Sequence, residues 1–329
     1  MSLRLIHPGV TALLVDAGRP RWRSLGVPVG GAADDAALAL GNALVGNAPD
    51  ALALEFTLSG PTLEAMHPTA CVIFGAPFAL AIDGKPAEAG TTFMLNPGEV
   101  LRVGGTAAGV RGYLCAAGGF TAPEVLGSRS SFEPLIAGAT LRCPTSRCEP
   151  RGLGFASWNP TPTSLLGKGA GGLGSVLHVL DGPQRDWFDE RFFAQSYEVL
   201  PASNRMGLRL KGEPLTRKPG ELASEAVAPG AVQITNDGLP VVLGVDGQTT
   251  GGYPKIAHVI RADLDSLAQL RPGDQVKFVR VDETEAERLA RDRSESLRGW
   301  LARLRAADRA PVIISASAGE SDRVSPLEG

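Results

Sequence analysis

The chain has 329 residues, and Gly (41) and Pro (25) make up a fifth of it, yet 43% of residues are hydrophobic, so it is a turn-rich globular protein and not a structureless one. Lys plus Arg (32) nearly balance Asp plus Glu (35), for a net charge of −3 with no basic stripe, which excludes a dedicated nucleic-acid binder. Four cysteines are too few for a secreted disulfide scaffold, and the length suggests two domains.

The chain opens without the basic-then-apolar pattern of a leader, and no stretch reaches the ~18 apolar residues of a membrane span. A cytoplasmic protein with no membrane partner is expected. The first unusual string is DAGR (16–19) followed by GVPVGGAAD (26–34). It leads into a predicted helix over 34–45 with Asp34 as its natural N-cap. Backbone N–H groups in such a glycine-rich turn can face an anion. The alternative is a plain turn and cap, with Asp16 and Arg19 as a surface ion pair. Glu55 sits in the apolar run 51–58, so its side chain is expected to be buried and paired.

Strand-like runs follow at 70–74, 99–103, 176–180, 241–245 and 276–279, with turn residues between them. Many short strands at this spacing predict a mainly β protein of barrels or sandwiches, with few helices. Between the first two and the later runs lie Gly118-Gly119-Phe120 and LGSRS (126–130). There Ser128, Arg129 and Ser130 could bind a carboxylate or phosphate, or form a Ser-capped turn. Cys143 and Cys148 share a loop with no His nearby, so no metal site is expected. Residues 159–174 (NPTPTSLLGKGAGGLG) have linker composition. Their Gly-Lys pair is not a phosphate loop, because Gly169 replaces the Ser or Thr that would hold magnesium.

Beyond the linker, 184–195 reads as helical, and NRMG (204–207) as a turn from which Arg205 could reach a ligand. The richest string is DGQTTGGYPK (246–255), with an acid, an amide, hydroxyls, an amine and two adjacent glycines that free the backbone to approach a ligand. After residue 281 the chain becomes charge-dense, with Leu289, Leu297, Trp300, Leu301 and Leu304 at helical spacing. An amphipathic helix packing Trp300 onto a barrel is expected, then an edge strand at 311–315 and a disordered tail from about 316.

The chain also reads as two diverged copies. LNPGEVLRV (95–103) matches LRPGDQVKF (270–278), LSGPTL (58–63) resembles LKGEPL (210–215), and LVDAG (14–18) resembles VLDG (179–182). The unequal spacings of these anchors place one insertion near 19–33 and another near 246–265. The expected organisation is a first β-barrel domain over 4–158, the linker 159–174, a second over 175–282, and a C-terminal helix and tail over 283–329.

Taken together, DAGR, GVP-x-x-GA-x-D (26–34), LVGN (44–47), Glu55, Gly60-Pro61, LGSRS, Gly182-Pro183-Gln184, RMGLRL (205–210), Ser224-Glu225, Gln233, Asp237-Gly238 and DGQTTGGYPK resemble the KipA family. That family includes the KipA-like subunit of 5-oxoprolinase and half of the urea carboxylase carboxyltransferase domain. The likeness covers about residues 8–281. Gly30 stands where many members have Ser, and Ala33 where Met is common, so no role passes to that Ser hydroxyl.

The resemblance implies tandem cyclophilin-like β-barrels and a KipI-like partner, with a third oxoprolinase subunit in that branch. It implies ATP-dependent opening of 5-oxoproline to glutamate in the assembled complex. The alternatives are carboxyl transfer to urea, with biotin on another chain, or a non-catalytic KipI antagonist. Both reactions act on a planar N–C=O unit, so donors are needed where negative charge develops on oxygen. Gln248, Thr249, Thr250 and the Gly251–Gly252 backbone are the expected donors. Lys255 or Arg19 would hold a phosphate or carboxylate, and Asp246 or Asp16 would act as base or orient a donor. Asp34, Ser128, Arg129, Ser130, Arg205 and Tyr253 complete the expected substrate-binding set. No phosphate loop marks an ATP site in this chain.

Overall fold

The computed structural model describes residues 1–144, 175–218, 220 and 222–307. The predicted linker, Cys148, the strand expected at 311–315 and the tail lie outside the described residues. Eleven strands precede residue 144: β1 (Ser2–His7), β2 (Thr11–Val15), β3 (Ala53–Thr57), β4 (Thr62–Ala65), β5 (Thr69–Gly75), β6 (Phe78–Ile82), β7 (Lys85–Ala87), β8 (Phe93–Leu95), β9 (Val100–Thr106), β10 (Arg111–Ala116) and β11 (Thr140–Arg142). They form two antiparallel sheets, ordered β11-β1-β4-β9-β6-β7 and β2-β3-β10-β5-β8. One core lies between them, with Leu3, Leu5, Leu63 and Leu101 from one sheet and Leu54, Phe56, Ile73 and Leu114 from the other.

The first sheet alternates as a half-solvated sheet should: Leu3 and Leu5 are buried while Arg4 is exposed. By contrast β10 is buried at every position. Its second face, with Tyr113 and Cys115, packs with Val72 and Phe74 of β5 under helix α1 (Asp35–Leu44). Asp34 caps that helix as expected, its Oδ1 accepting from the Ala37 amide at 2.9 Å. Helix α1 is rich in Ala, and its one glycine, Gly41, lies so close on the sheet that a Cβ would fall 2.9 Å from Cys115 Sγ.

From residue 175 the strands are β12 (Ser175–Asp181), β13 (Tyr197–Val199), β14 (Gly207–Lys211), β15 (Glu225–Ala226), β16 (Ala231–Ile234), β17 (Pro240–Leu243), β18 (Thr250–Gly251), β19 (Lys255–Val259) and β20 (Gln275–Arg280). Seven close a barrel in the order β12-β19-β16-β17-β14-β13-β20. Its closing pair, β12 with β20, is parallel. The remaining two, β15 and β18, pair separately as a short ribbon. Leu177, Val179, Tyr197 and Phe278 fill the barrel, and Phe192 stacks on Phe278 with ring centroids 4.8 Å apart.

The helix expected over 184–195 is broken. A 3-10 turn, Arg185–Trp187, gives way to extended backbone at Phe188 before the four-residue α2 (Arg191–Ala194). Side-chain bonds stand at the break: Arg185 Nη1 donates to Phe188 O at 2.6 Å, and Asp189 Oδ1 accepts from the Arg191 amide at 3.0 Å, while Phe188 and Phe192 both reach the barrel core. Helix α3 (Leu264–Ala268) follows β19, and α4 (Glu283–Ala307) closes the described chain. As expected, α4 buries Leu304 and packs Leu297, Trp300 and Leu301, but against the cluster around α1. Among the described residues, no helix is long and apolar enough to cross a membrane.

The two L-x-P-G strings are structural equivalents. Gly98 and Gly273 both have positive φ (86° and 91°) and donate to Ala65 O and Val199 O, each at 2.8 Å. The amides of Ala65 and Val199 donate in return to Glu99 O and Asp274 O, each at 2.9 Å. Thus β4 with β9 corresponds to β13 with β20. That register overturns the match of LSGPTL to LKGEPL: the first string leads into β4, whereas the second follows β14. It also removes the insertion placed at 246–265, because 255–259 is β19, an integral strand of the barrel.

Candidate functional site

A cleft of about 530 Å³ lies between the first-half sheets and the barrel. Its polar lining includes Asp16, Arg23, Asp35, Arg111, Arg205 and Asp265. Leu208 and Leu243 belong to its apolar wall. Direct bonds close the seam around it. The Gly30 amide donates to Val245 O at 2.9 Å, and the amides of Val110 and Arg111 donate to Gln269 Oε1 at 3.0 and 2.9 Å.

Asp16, at the end of β2, organises LGSRS. Its Oδ1 accepts from Ser128 Oγ and Ser130 Oγ, each at 2.6 Å, and from the Gly18 amide at 2.8 Å, while Oδ2 accepts from the Arg129 amide at 2.6 Å. Burial works to raise this carboxyl, but these bonds outweigh it and hold it below the ordinary Asp range. The expected surface ion pair with Arg19 is absent. Arg19 is instead buried, donating to Val125 O and Ser130 O at 3.2 and 2.8 Å and lying over the Phe132 ring. Ser128 and Ser130 are buried with it, whereas the Arg129 side chain is exposed and pairs with Glu124.

Six amides of the glycine-rich turn are taken up by acceptors of the protein itself. Those of Gly18, Arg19, Gly30, Ala32, Ala33 and Asp34 donate to Asp16, Val29, Val245, Asp16, Glu55 and Tyr113 respectively. Of the two readings of this string, the turn and cap is the one observed. These six amides are not free to receive a nucleotide's triphosphate.

Arg205 crosses the seam. Its Nε and Nη2 grip Asp246 at 2.6 and 2.9 Å, Nη2 also donates to Gly31 O at 2.6 Å, and Nη1 pairs with Glu55. Glu55 is buried as expected, and also accepts from Tyr113 Oη at 2.8 Å and the Ala33 amide at 3.0 Å. Burial raises the Glu55 carboxyl, but Arg205 and Arg111 outweigh it and hold it below the ordinary Glu range. The guanidinium of Arg205 is thus engaged on every edge by the protein's own acceptors.

A carboxyl cluster stands where α1, α3 and α4 meet. Asp34 is buried, its Oδ2 accepting from Gln269 Nε2 at 2.8 Å, and burial is the chief cause of its being pushed up to about 6. Asp265 is raised well above the ordinary range by burial and by Asp34 and Asp35. Arg293 of α4 pairs with both Asp35 and Asp265.

The residues of DGQTTGGYPK separate. Asp246 joins Arg205 at the seam. Thr249 is buried, its carbonyl accepting from the Val227 amide at 2.9 Å. Gln248, Thr250, Gly252 and Tyr253 are exposed on the barrel rim and do not line the cleft. Thr250 and Gly251 form the ribbon with Ala226 and Glu225. Lys255, expected to hold a phosphate or carboxylate, pairs with Glu225 of that ribbon. Arg23 joins the two regions, lining the cleft and donating to Val227 O.

Several participants escaped the sequence reading. Arg23 lies inside the first unusual string without a partner pattern to mark it. Asp35 follows the cap residue directly. Arg111, Asp265, Gln269 and Arg293 carry no local signal, since each matters only through a partner far along the chain.

The chain matches the family described as carboxyltransferase domain, subdomain A and B, over residues 25–280. It is similar to a subunit of the 5-oxoprolinase of Haemophilus influenzae, 35% identical over 287 residues that cover 85% of this chain and 91% of the relative. It is also similar to urea amidolyase of Lachancea kluyveri, 31% identical over 88% of this chain but only 17% of that much longer protein. Among solved structures, the urea amidolyase of K. lactis superposes with a TM-score of 0.79 at 28% identity, covering 91% of this chain and 20% of the other.

Proposed function

The chain belongs to the family of carboxyltransferase domains, subdomains A and B, and from that premise we propose that it is the KipA-like subunit of an ATP-dependent 5-oxoprolinase. One observation carries the reading: the match to a protein named as a 5-oxoprolinase subunit runs nearly end to end, over 91% of that relative. In this reading a KipI-like partner and a third oxoprolinase subunit join it, and the assembly opens 5-oxoproline to glutamate.

The cleft at the seam suits a small planar lactam. Opening an N–C=O unit places negative charge on its oxygen, so the enzyme must hold donors there. Asp16, ionised and facing the cleft, is the base or orienting acceptor of this reading. Ser128, Ser130, Arg129 and Arg19 fix its loop. Arg205, anchored by Glu55 and Asp246, shapes the cleft wall rather than gripping substrate. Asp34 caps α1 beside it. ATP supplies activation when bound in the assembly, and the bonded amides of the glycine-rich turn favour a nucleotide site contributed by another chain. Gln248, Thr250, Gly252 and Tyr253 are exposed together, which suits a rim that the KipI-like partner covers to complete the site with Thr249, Gly251 and Lys255.

Purifying the chain with both partners tests the reading. ATP-dependent glutamate release from 5-oxoproline is expected. A folded assembly that releases none, beside an active homologous complex, sinks it. The likeness to urea amidolyases favours a second reading, a carboxyltransferase using biotin on a separate carrier. Carboxyl transfer to urea by the same preparation, with no oxoproline turnover, would establish that reading instead.

A further inference from the structure

Gln233 in β16 buries a side-chain donor without a partner among the described residues. It is 1% exposed, and its Nε2 is fully buried with no hydrogen-bond partner among the described residues. A buried amide N–H left unpaired is costly, and such groups in native proteins call for a ligand, a water or a functional reason. Its neighbours Val232 and Ile234 point into the barrel core, so Gln233 emerges on the outer wall. There it lies beside Lys255, its Cα partner across β19. The β15–β18 ribbon covers both. Gly251 of the ribbon passes so close that a Cβ on it would fall 2.7 Å from Gln233 Nε2, so a larger residue there would displace the Gln233 amide.

The same layer holds a carboxylate. Glu225 of the ribbon pairs with Lys255 Nζ and accepts from Gln184 Nε2 at 3.4 Å, yet its side chain remains 42% exposed. Gln184 is itself fastened to β19, accepting from the Lys255 amide at 3.0 Å and donating its own amide to Lys255 O at 3.2 Å. The ribbon has two ladder pairs, Glu225 with Gly251 and Ala226 with Thr250, extended by the Val227 amide donating to Thr249 O at 2.9 Å and by Arg23 donating to Val227 O. A cation and an orphaned donor therefore share one face of the barrel, under a short cover whose acid occupies the cation.

The geometry points to a subsite beneath this ribbon, in which Gln233 Nε2 and Lys255 Nζ receive the oxygen of a planar amide. A lactam or urea presents C=O and N–H side by side on one edge. The Gln233 carboxamide presents N–H and C=O in the complementary order, and Lys255 adds charge where negative charge develops. Entry requires the ribbon to lift and Glu225 to leave Lys255. This inference rests on the oxoprolinase reading for its substrate; it places the reacting carbonyl under the ribbon in place of the seam cleft, moves the donor role from exposed Gln248 to Gln233, and leaves Asp16 to order the LGSRS loop.

Three measurements test it. In thermal melts of the full chain, Gln233→Leu and Gln233→Met raise Tm by a few degrees, because each removes an unpaired amide while keeping the volume. A fall in Tm for both shows the amide to be satisfied structurally and overturns the inference. In the assembled complex, both variants lower kcat/KM for 5-oxoproline at least a hundredfold, the scale of one lost oxyanion donor. Turnover within threefold of wild type overturns the inference and leaves the oxoprolinase reading standing. If the wild-type assembly itself releases no glutamate, that reading fails instead. The side-chain amide resonances of Gln233, identified by their loss in Gln233→Leu, are then followed as 2-pyrrolidinone or urea is added. Movement with either supports the subsite, and no movement with both overturns it.

Discussion

Arg205 of the barrel pairs with Glu55 of the opposite sheet, their side chains only 9% and 1% exposed. The pair spans the seam, and Asp246 and Tyr113 complete its hydrogen bonds. A buried pair is not a strong net source of stability, because both charges were first desolvated. Removing one partner is another matter. Glu55→Gln leaves the buried guanidiniums of Arg205 and Arg111 with Asp246 as the remaining carboxylate and is expected to cost about 3 kcal/mol in urea unfolding. Arg205→Met combined with Glu55→Gln should cost less than the sum of the two single changes. Additive losses would show that the two side chains act independently.

Asp16 predicts a local effect. The LGSRS loop hangs on its carboxylate through two hydroxyls and one amide, and Arg129 within the loop is exposed. Asp16→Asn replaces one accepting oxygen with a donor that faces donors. Trypsin should then cut after Arg129 at least tenfold faster, with the global melting temperature falling by only a few degrees. Unchanged cleavage at that site would mean that Arg19 and the backbone hold the loop without Asp16.

Helix α4 predicts a packing effect. Leu304 is buried against the α1 cluster, and Trp300 packs beside it. Leu304→Ala should destabilise by about 2–5 kcal/mol, as large-to-small changes in a core do. The Trp300 fluorescence maximum should shift to the red as the helix end loosens. A loss below 1 kcal/mol would mean that Arg293, with its two carboxylates, holds the helix without the apolar face.

What the sequence disclosed was whatever is written locally. Asp34 before an Ala-rich run marked a cap, two L-x-P-G strings marked equivalent turns, and Glu55 in an apolar run announced a buried acid with a partner. Its partner was not legible, since Arg205 lies 150 positions away. Gln269 links Asp34, Val110 and Arg111 with no more signal than any glutamine. Local pattern also misled. The helical spacing over 184–195 gave way at Phe188, where Arg185 takes the Phe188 carbonyl and Asp189 caps the Arg191 amide. The polar richness of DGQTTGGYPK suggested one loop with one task. Its last residue instead begins β19, so the string divides among seam, rim, ribbon and barrel wall.

The carboxyl cluster predicts how stability changes with pH. Asp34 is pushed up to about 6, chiefly by burial, from an ordinary 3.8 in the unfolded chain. Folding therefore takes up a proton between those values, and the associated stability is fully present below about 4 and lost as pH rises through 6. At two pH units the loss is on the order of 3 kcal/mol. Asp265 is shifted in the same direction, by burial and by Asp34 and Asp35, and shares a hydrogen bond with Asp35. Asp16 and Glu55 run the other way: held low, they stabilise the fold above their ordinary values, and that stability is lost as pH falls through their folded values. Asp265→Asn keeps a donor for Asp35 and removes one titrating group. Wild type should lose several degrees of Tm between pH 5 and 7, and Asp265→Asn less than half as much. Parallel curves for the two proteins would place the proton elsewhere in the cluster, with Asp34 the next carboxyl to replace.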